Sequence, residues 1–309
     1  MLALLSRASS SYQKMKRFLN GPWVLLLPTL IILTCVVLLP LLISLWTSFT
    51  PFKLTKPDTL YRFVGFRNYE RLIGDIDFWV AFGRTVLFLA IALNLELIFG
   101  LGIALLINKI TYGQRTLRTL MMFPMMFSPI LVGFQWKYIF NDNIGLLNNF
   151  LREFGVIQPI PWLVDGILAN ISIMAAEIWS STSVFAILLL AGLLGIPKDP
   201  LEAARVDGCN SWQVFKNITL PFLMPFVFIA MTIRSLDVAR AYDIVQMMTG
   251  GGPAKRTELL WTLISRTGYV DAKMGMANAM SYISIFLSIA FTFFFFYKLM
   301  QSRQQLSYE

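Results

Sequence analysis

Residues 79–107 read WVAFGRTVLFLAIALNLELIFGLGIALLI, an apolar run interrupted by two charges, Arg84 and Glu96. It exceeds the roughly 20 residues a helix needs to cross about 30 Å of hydrocarbon. Five further runs of this kind lie at 23–49, 120–140, 171–195, 221–244 and 277–299. The pattern predicts an all-α polytopic membrane protein with six transmembrane helices. Its parts are a tail over 1–22, a first helix over 23–49, an outer loop over 50–78, a five-helix core over 79–299 that includes a loop at 196–220, and a tail over 300–309.

Composition agrees. The 309 residues are 57% hydrophobic and only 14% charged, with a mean hydropathy of +0.66, whereas soluble domains carry about a quarter charged residues. Too few charges are present to cover the surface of a soluble chain, so a bilayer is expected to cover it. Arg7, Lys14, Lys16 and Arg17 precede the first run, which is too long for a secretory signal and lacks a small-residue cleavage site, so it reads as a retained helix.

Six spans put both termini on one side. The segments sharing that side hold twelve Lys and Arg against four Asp and Glu, whereas the other three loops hold ten of each. Positive charge collects on the cytoplasmic side, so both termini are expected there. The net charge of +9 then belongs to a rim facing anionic lipid, with no nucleic acid implied. Histidine is absent and the two cysteines, Cys35 and Cys209, lie in different contexts, which excludes a zinc or haem site and argues against an enzyme.

With Asp243 and Lys298 at the span ends counted with the flanking segments, seven charged residues fall within the spans: Arg84, Lys137, Arg234 and Arg240 with Glu96, Glu177 and Asp237. Charges at that depth are costly and usually face a bundle interior or a watery cavity. Together they point to a transport path.

Residues 196–221 read IPKDPLEAARVDGCNSWQVFKNITLP. Asp199 followed by Pro200 reads as a cap with proline at the first helical position, predicting a short helix to about Val206 that Gly208 ends. Asn210 or Ser211 is expected to cap a second short helix carrying Trp212, Phe215 and Ile218, until Pro221 opens the next span. Physics alone leaves two uses for this helix-turn-helix: a connector tucking Trp212 and Phe215 under the bundle, or a docking element.

The residues Glu202-Ala203-Ala204, Asp207-Gly208, Phe215, Ile218 and Leu220-Pro221 resemble the coupling signature of permease subunits in binding-protein-dependent ABC importers. The likeness extends along the chain and narrows to the sugar and glycerol-phosphate group, on the side of the maltose permease F. Residues 63–69 (FVGFRNY) are similar to the family's segment after the first helix. Pro124 to Asn148, Ala191-Gly192-Leu193 with Ile196-Pro197, and residues 249–253 (TGGGP) resemble later family segments. Arg84-Thr85 stands where Asn-Thr is common, and Arg240 precedes the usual aromatic-Asp pair, here Tyr242-Asp243.

The resemblance implies a bacterial inner-membrane subunit that pairs with a second permease as a heterodimer, above two ATPase subunits and below a soluble binding protein delivering a carbohydrate-like substrate, either a neutral oligosaccharide or polyol or an anionic glycoside such as a glycerol phosphate or sulfonated sugar. The chain has no GxxxxGK[S/T] loop, so it is expected to bind no cofactor itself, with ATP and magnesium in the ATPases. Glu202, Ala203, Ala204, Asp207, Gly208 and Phe215 would form the ATPase-coupling loop, Ala203 and Ala204 permitting close approach and Glu202 pairing with a basic residue.

For the path, Arg234, Asp237 and Arg240 fall at i, i+3 and i+6 on one helical face. Mutual pairing in a structural ladder is the favoured reading. The functional one is a hydrophilic wall with one spare positive charge for an anionic group. Gln135, Trp136, Asn141, Trp179, Ser180, Tyr242 and Asp243 are candidates to stack on and hydrogen-bond a sugar, against the plainer reading of Trp and Tyr as interface anchors. The rival from another class is an ion-gradient-driven secondary transporter carrying protons on Glu96, Glu177 or Asp237, disfavoured because no internal repeat is evident.

Overall fold

The computed structural model of the chain describes residues 23–110, 112–155 and 158–308. The basic segment 1–22, on which part of the orientation argument stands, lies outside them. The described residues form helices joined by turns and loops, with one isolated bridge between Lys53 and Lys56 and no strand.

Helix α1 (Trp23–Leu33) continues through one widened turn (Thr34–Leu38) into α2 (Leu39–Ser48). Together they make the first span, and its most apolar stretch has no buried residue. Among the described residues, only its end is held by the rest of the chain. Ser44 bonds Tyr282 at 3.0 Å, Thr47 bonds Asn278, and Asn68 donates to the Ser48 and Thr50 carbonyls at 2.8 Å each. Asn68 belongs to α3 (Arg67–Ile73), so the 50–78 segment folds back over that end.

Helix α4 (Ile76–Lys109) starts where the Asp75 carboxylate accepts from the amides of Asp77 and Phe78. The expected third span is not one helix. Helix α5 (Gln114–Met122), extended by a tight turn to Met126, and α6 (Pro129–Ile139) meet at 91°. The cause is Ser128, which is extended because the following proline disfavours a helical residue before it.

Helix α7 (Leu146–Glu153) precedes α8 (Gly166–Leu194), which Asp165 caps by accepting from Ile167 and Leu168. Those two donors hold the Asp165 carboxyl below the usual carboxylate range. Helices α4 and α8 pack closely because Gly100 has no side chain: a Cβ there would lie 2.5 Å from the Phe185 Cβ.

Helices α9 (Lys198–Val206) and α10 (Ser211–Val214) form the 196–220 loop, and α10 passes through a widened turn (Phe215–Thr219) into α11 (Leu220–Ala239). The second short helix is therefore not closed off by Pro221. Pro221 has no amide to donate, and the Leu220 amide before it reaches back to Phe215, as Leu39 reaches Thr34 before Pro40. The helix widens at each proline and continues.

The fifth span was expected to reach about residue 244, but α11 ends at Ala239, and α12 (Asp243–Met248) follows as a separate helix. The stretch expected to be an outer loop also holds α13 (Leu260–Ser265), whose Leu260, Thr262 and Leu263 are buried, before α14 (Met274–Tyr308) completes the chain. The described residues thus contain five helices long and apolar enough to cross a membrane, or six with the bent α5–α6 pair counted as one. The main core lies among α4, α8 and α11, on Leu89, Leu93, Phe185, Leu189, Leu223 and Ala230.

Candidate functional site

Arg234 sits on α11 with 6% of its surface exposed. Its Nε donates to Glu96 Oε2 at 3.0 Å, and its Nη2 donates to Glu96 Oε1 at 3.0 Å and Glu177 Oε1 at 2.7 Å. Nη1 reaches Asp237 Oδ2 at 3.5 Å, and Asp237 Oδ1 accepts from Arg240 Nη2 at 3.3 Å. Glu96 lies on α4 and is fully buried; Glu177 lies on α8. One guanidinium therefore ties three spans together with charge-assisted, partly bidentate bonds.

This revises the ladder. Asp237 does pair with both arginines, but the short, buried contacts of Arg234 are to acids on two other helices. Counting them, three carboxylates surround two guanidinium groups, so no positive charge is spare.

Beside this cluster lies a cavity of about 600 Å³ lined by Glu177, Ser180, Ser181, Arg234, Asp237, Arg240, Tyr242, Asp243 and Trp261, among others. Six expected path residues meet there: Ser180, Arg234, Asp237, Arg240, Tyr242 and Asp243. The other four do not line it. Asn141 spends its side chain on a local turn, accepting from the amides of Asn143 and Ile144. Gln135 is exposed on α6. Trp136 packs on Phe140 and Trp179, at 5.4 and 5.9 Å between ring centroids. Trp179 lines a separate, apolar cavity of about 580 Å³ with Phe99, Met121 and Ile178. Residues one apart on a helix point about 100° apart, so Trp179 and Ser180 serve different faces.

Sequence reasoning missed Ser181 and Trp261. The first is one hydroxyl among several in residues 180–183, and the second lay in a stretch expected to be loop. Beyond the cavity, Lys255 pairs with Asp77 at 2.5 Å and Arg266 with Glu258 at 3.1 Å. Burial pushes the Glu258 carboxyl up, and Arg266 opposes the shift.

In the 196–220 loop, Pro197 rather than Asp199 occupies the cap position of α9, and Asp199 falls in the first turn. Gly208 has φ of +78°, a conformation that costs other residues with a Cβ roughly 1–2 kcal/mol. Asn210 then opens α10 with a reciprocal capping box to Gln213. Glu202, Ala203 and Asp207 are exposed. Ala204 is not: at 6% exposure it packs against its own chain, so only Ala203 is free for close approach. Trp212 stacks on Phe215 at 5.6 Å yet is 68% exposed, and Val206 is 87% exposed. Phe215 is half-buried.

Residues 96–305 match the family described as binding-protein-dependent transport system inner membrane component. The chain belongs to this family. It is a membrane permease subunit of an ABC-type importer and not itself an enzyme. It is 34% identical over 273 residues to the trehalose/maltose transport system permease protein MalF of Thermococcus litoralis, covering 87% of this chain and 90% of that one. It is 32% identical over 268 residues to the sulfoquinovosyl glycerol transport system permease protein SmoG of Agrobacterium fabrum, covering 87% and 86%. The fold is similar to that of a bacterial ABC transporter involved in the import of the acidic polysaccharide alginate, at a TM-score of 0.78 and 21% identity over 94% of this chain and 99% of that one. In this permease the three acids that a proton-driven transporter would need are all engaged with Arg234, which agrees with setting that rival aside.

Proposed function

We propose that this permease forms half of the path through which an ATP-driven importer takes up a neutral carbohydrate. The observation that carries the reading is the cavity of about 600 Å³, walled by hydroxyl, carboxylate and guanidinium groups inside an apolar helix bundle. Sugars are bound by hydrogen bonds to their hydroxyls and by aromatic faces, and Ser180, Ser181, Asp243, Tyr242 and Trp261 supply both. An anionic glycoside fits less well, because acids outnumber the bases and Arg234 is already saturated by them.

A second permease completes the path, as a heterodimer in the membrane lipid. A soluble binding protein delivers substrate, and two ATPase subunits hold ATP and magnesium. The 196–220 loop faces those ATPases from the cytoplasmic side, with both termini on that side. Exposed Glu202, Ala203, Val206, Asp207 and Trp212 support the docking role. ATP-driven closure then rocks the permease halves between outward-open and inward-open states.

The test is uptake of maltose or trehalose by the reconstituted importer. Ser180→Phe, which fills the cavity, is expected to lower uptake at least about tenfold, equivalent to ~1.4 kcal/mol. Arg240→Gln should leave uptake within about twofold, since that arginine's charge is answered by Asp237 rather than by substrate. Unchanged uptake with Ser180→Phe, at normal assembly, removes the cavity from the path.

A further inference from the structure

The apolar cavity of about 580 Å³ lies apart from the charged one, among α4, α5 and α8. Phe99, Ile103, Met121, Pro124, Ile178 and Trp179 form most of its wall. Its two wall hydroxyls are spent on backbone: Thr182 donates to the Ile178 carbonyl and Ser183 to the Met121 carbonyl, each at 2.6 Å. The second of these bonds fixes α5 against α8, and the wall is left with mostly hydrocarbon and ring surface. Its rim reaches the outside of α4, where Phe99 is 51% exposed and Ile98 and Leu106 on the same helix are 61% and 65% exposed.

On α5 the residues Arg115, Arg118 and Met121 fall at i, i+3 and i+6, a stripe that runs from the start of the helix to the cavity wall. At the helical rise, Arg118 and Arg115 stand about 4.5 and 9 Å along the axis from Met121. Arg115 is exposed and Arg118 half-buried. The Arg118 Nε is buried with no hydrogen-bond partner among the described residues, an exception that calls for a physical cause. Among those residues neither arginine is within ion-pair distance of an acid, and exposed Lys109 at the end of α4 adds a third unpaired base.

We propose that this cavity holds an acyl chain of an anionic phospholipid whose phosphate is bound by Arg118 and Arg115. A guanidinium fork matches phosphate oxygens, and basic pockets beside membrane helices take anionic headgroups. Charge decides between occupants: an apolar helix of the second permease would fill the cavity but leave the arginines unanswered, whereas a phospholipid brings an anion joined to hydrocarbon. The site stands apart from the charged cavity and does not depend on the sugar reading.

The experiment uses the complete importer in phosphatidylcholine vesicles. Small amounts of phosphatidylglycerol with brominated acyl chains are added, or of phosphatidylcholine brominated in the same way. Trp179 lines the cavity and is 38% exposed, and its quenching is read as the difference between the parent and Trp179→Phe. The proposal expects half-maximal quenching at about tenfold less brominated phosphatidylglycerol than phosphatidylcholine. Equal quenching by the two overturns the headgroup site, and no Trp179-dependent quenching by either shows that protein covers the cavity and overturns the whole proposal. This comparison needs no change at the arginines. Arg115→Gln combined with Arg118→Gln should then abolish the preference for phosphatidylglycerol, and a preference that survives overturns their role. Inorganic phosphate should leave the quenching unchanged; relief by phosphate would assign the arginines to a free anion instead of a lipid.

Discussion

Arg234→Met is expected to destabilise the permease by about 3–5 kcal/mol, the scale of breaking a buried ion pair by removing one partner. The reason lies in what remains. Glu96 is fully buried and Glu177 nearly so, and without the guanidinium that bonds both at 2.7–3.0 Å two carboxylates share an apolar interior with no counter-charge. The same change severs the tie between α4, α8 and α11. A triple variant, Arg234→Met with Glu96→Gln and Glu177→Gln, removes the stranded charges and should recover much of the loss, because neutral replacement of a whole buried cluster is often tolerated. Melting of the detergent-solubilised protein and its yield in the membrane read both outcomes. A single variant as stable as the parent would show that the cluster does not hold the spans together.

Gly208→Val is expected to weaken coupling about tenfold or more while leaving the spans folded. Gly208 has φ of +78° and nothing within 4 Å of where a Cβ would stand. The change therefore strains the backbone without a clash, by roughly 1–2 kcal/mol. A β-branched residue relieves that strain by moving the turn between α9 and α10, which shifts α9, with Glu202 and Val206, relative to α10, with Trp212. Substrate-stimulated ATP hydrolysis and uptake should both fall about tenfold or more, equivalent to at least ~1.4 kcal/mol of lost coupling. Gly208→Asn is the control, since asparagine tolerates this region far better, and it should retain most activity. Normal stimulated hydrolysis and uptake in Gly208→Val would remove the docking role from this loop.

Much of the fold is legible because a bilayer imposes one dominant pattern. The runs at 79–107 and 171–195 correspond to α4 and α8, which start three and five residues earlier, at caps on Asp75 and Asp165, and end at Lys109 and Leu194. Hydropathy averaged over 120–140 hid the break at Ser128, although Pro124 and Pro129 both mark it. Pro221 misled in the opposite direction, since a widened turn carries the helix through a residue that usually starts or stops one. At the site, the i, i+3, i+6 spacing found the local contacts of Arg234 with Asp237. It could not find the stronger bonds to Glu96 and Glu177, which depend on how α4 and α8 pack. A net count of charges within the spans was the available hint: buried arginines without partners would be too costly. Ala204 faced inward for a similar reason, because the sequence shows a small-residue pair but not which member its own bundle covers.

On the proposed function, this chain moves solute only as part of an ATP-driven, binding-protein-dependent assembly. The most direct measurement is maltose and trehalose uptake into proteoliposomes containing either the purified chain alone or the chain with its second permease and ATPases, with and without binding protein, ATP and an imposed proton gradient. The account predicts uptake in the complete assembly that requires ATP and binding protein, and none by the chain alone under any gradient. Uptake by the chain alone, driven by protons and indifferent to ATP, would contradict it and return Glu96, Glu177 and Asp237 to the role of proton carriers.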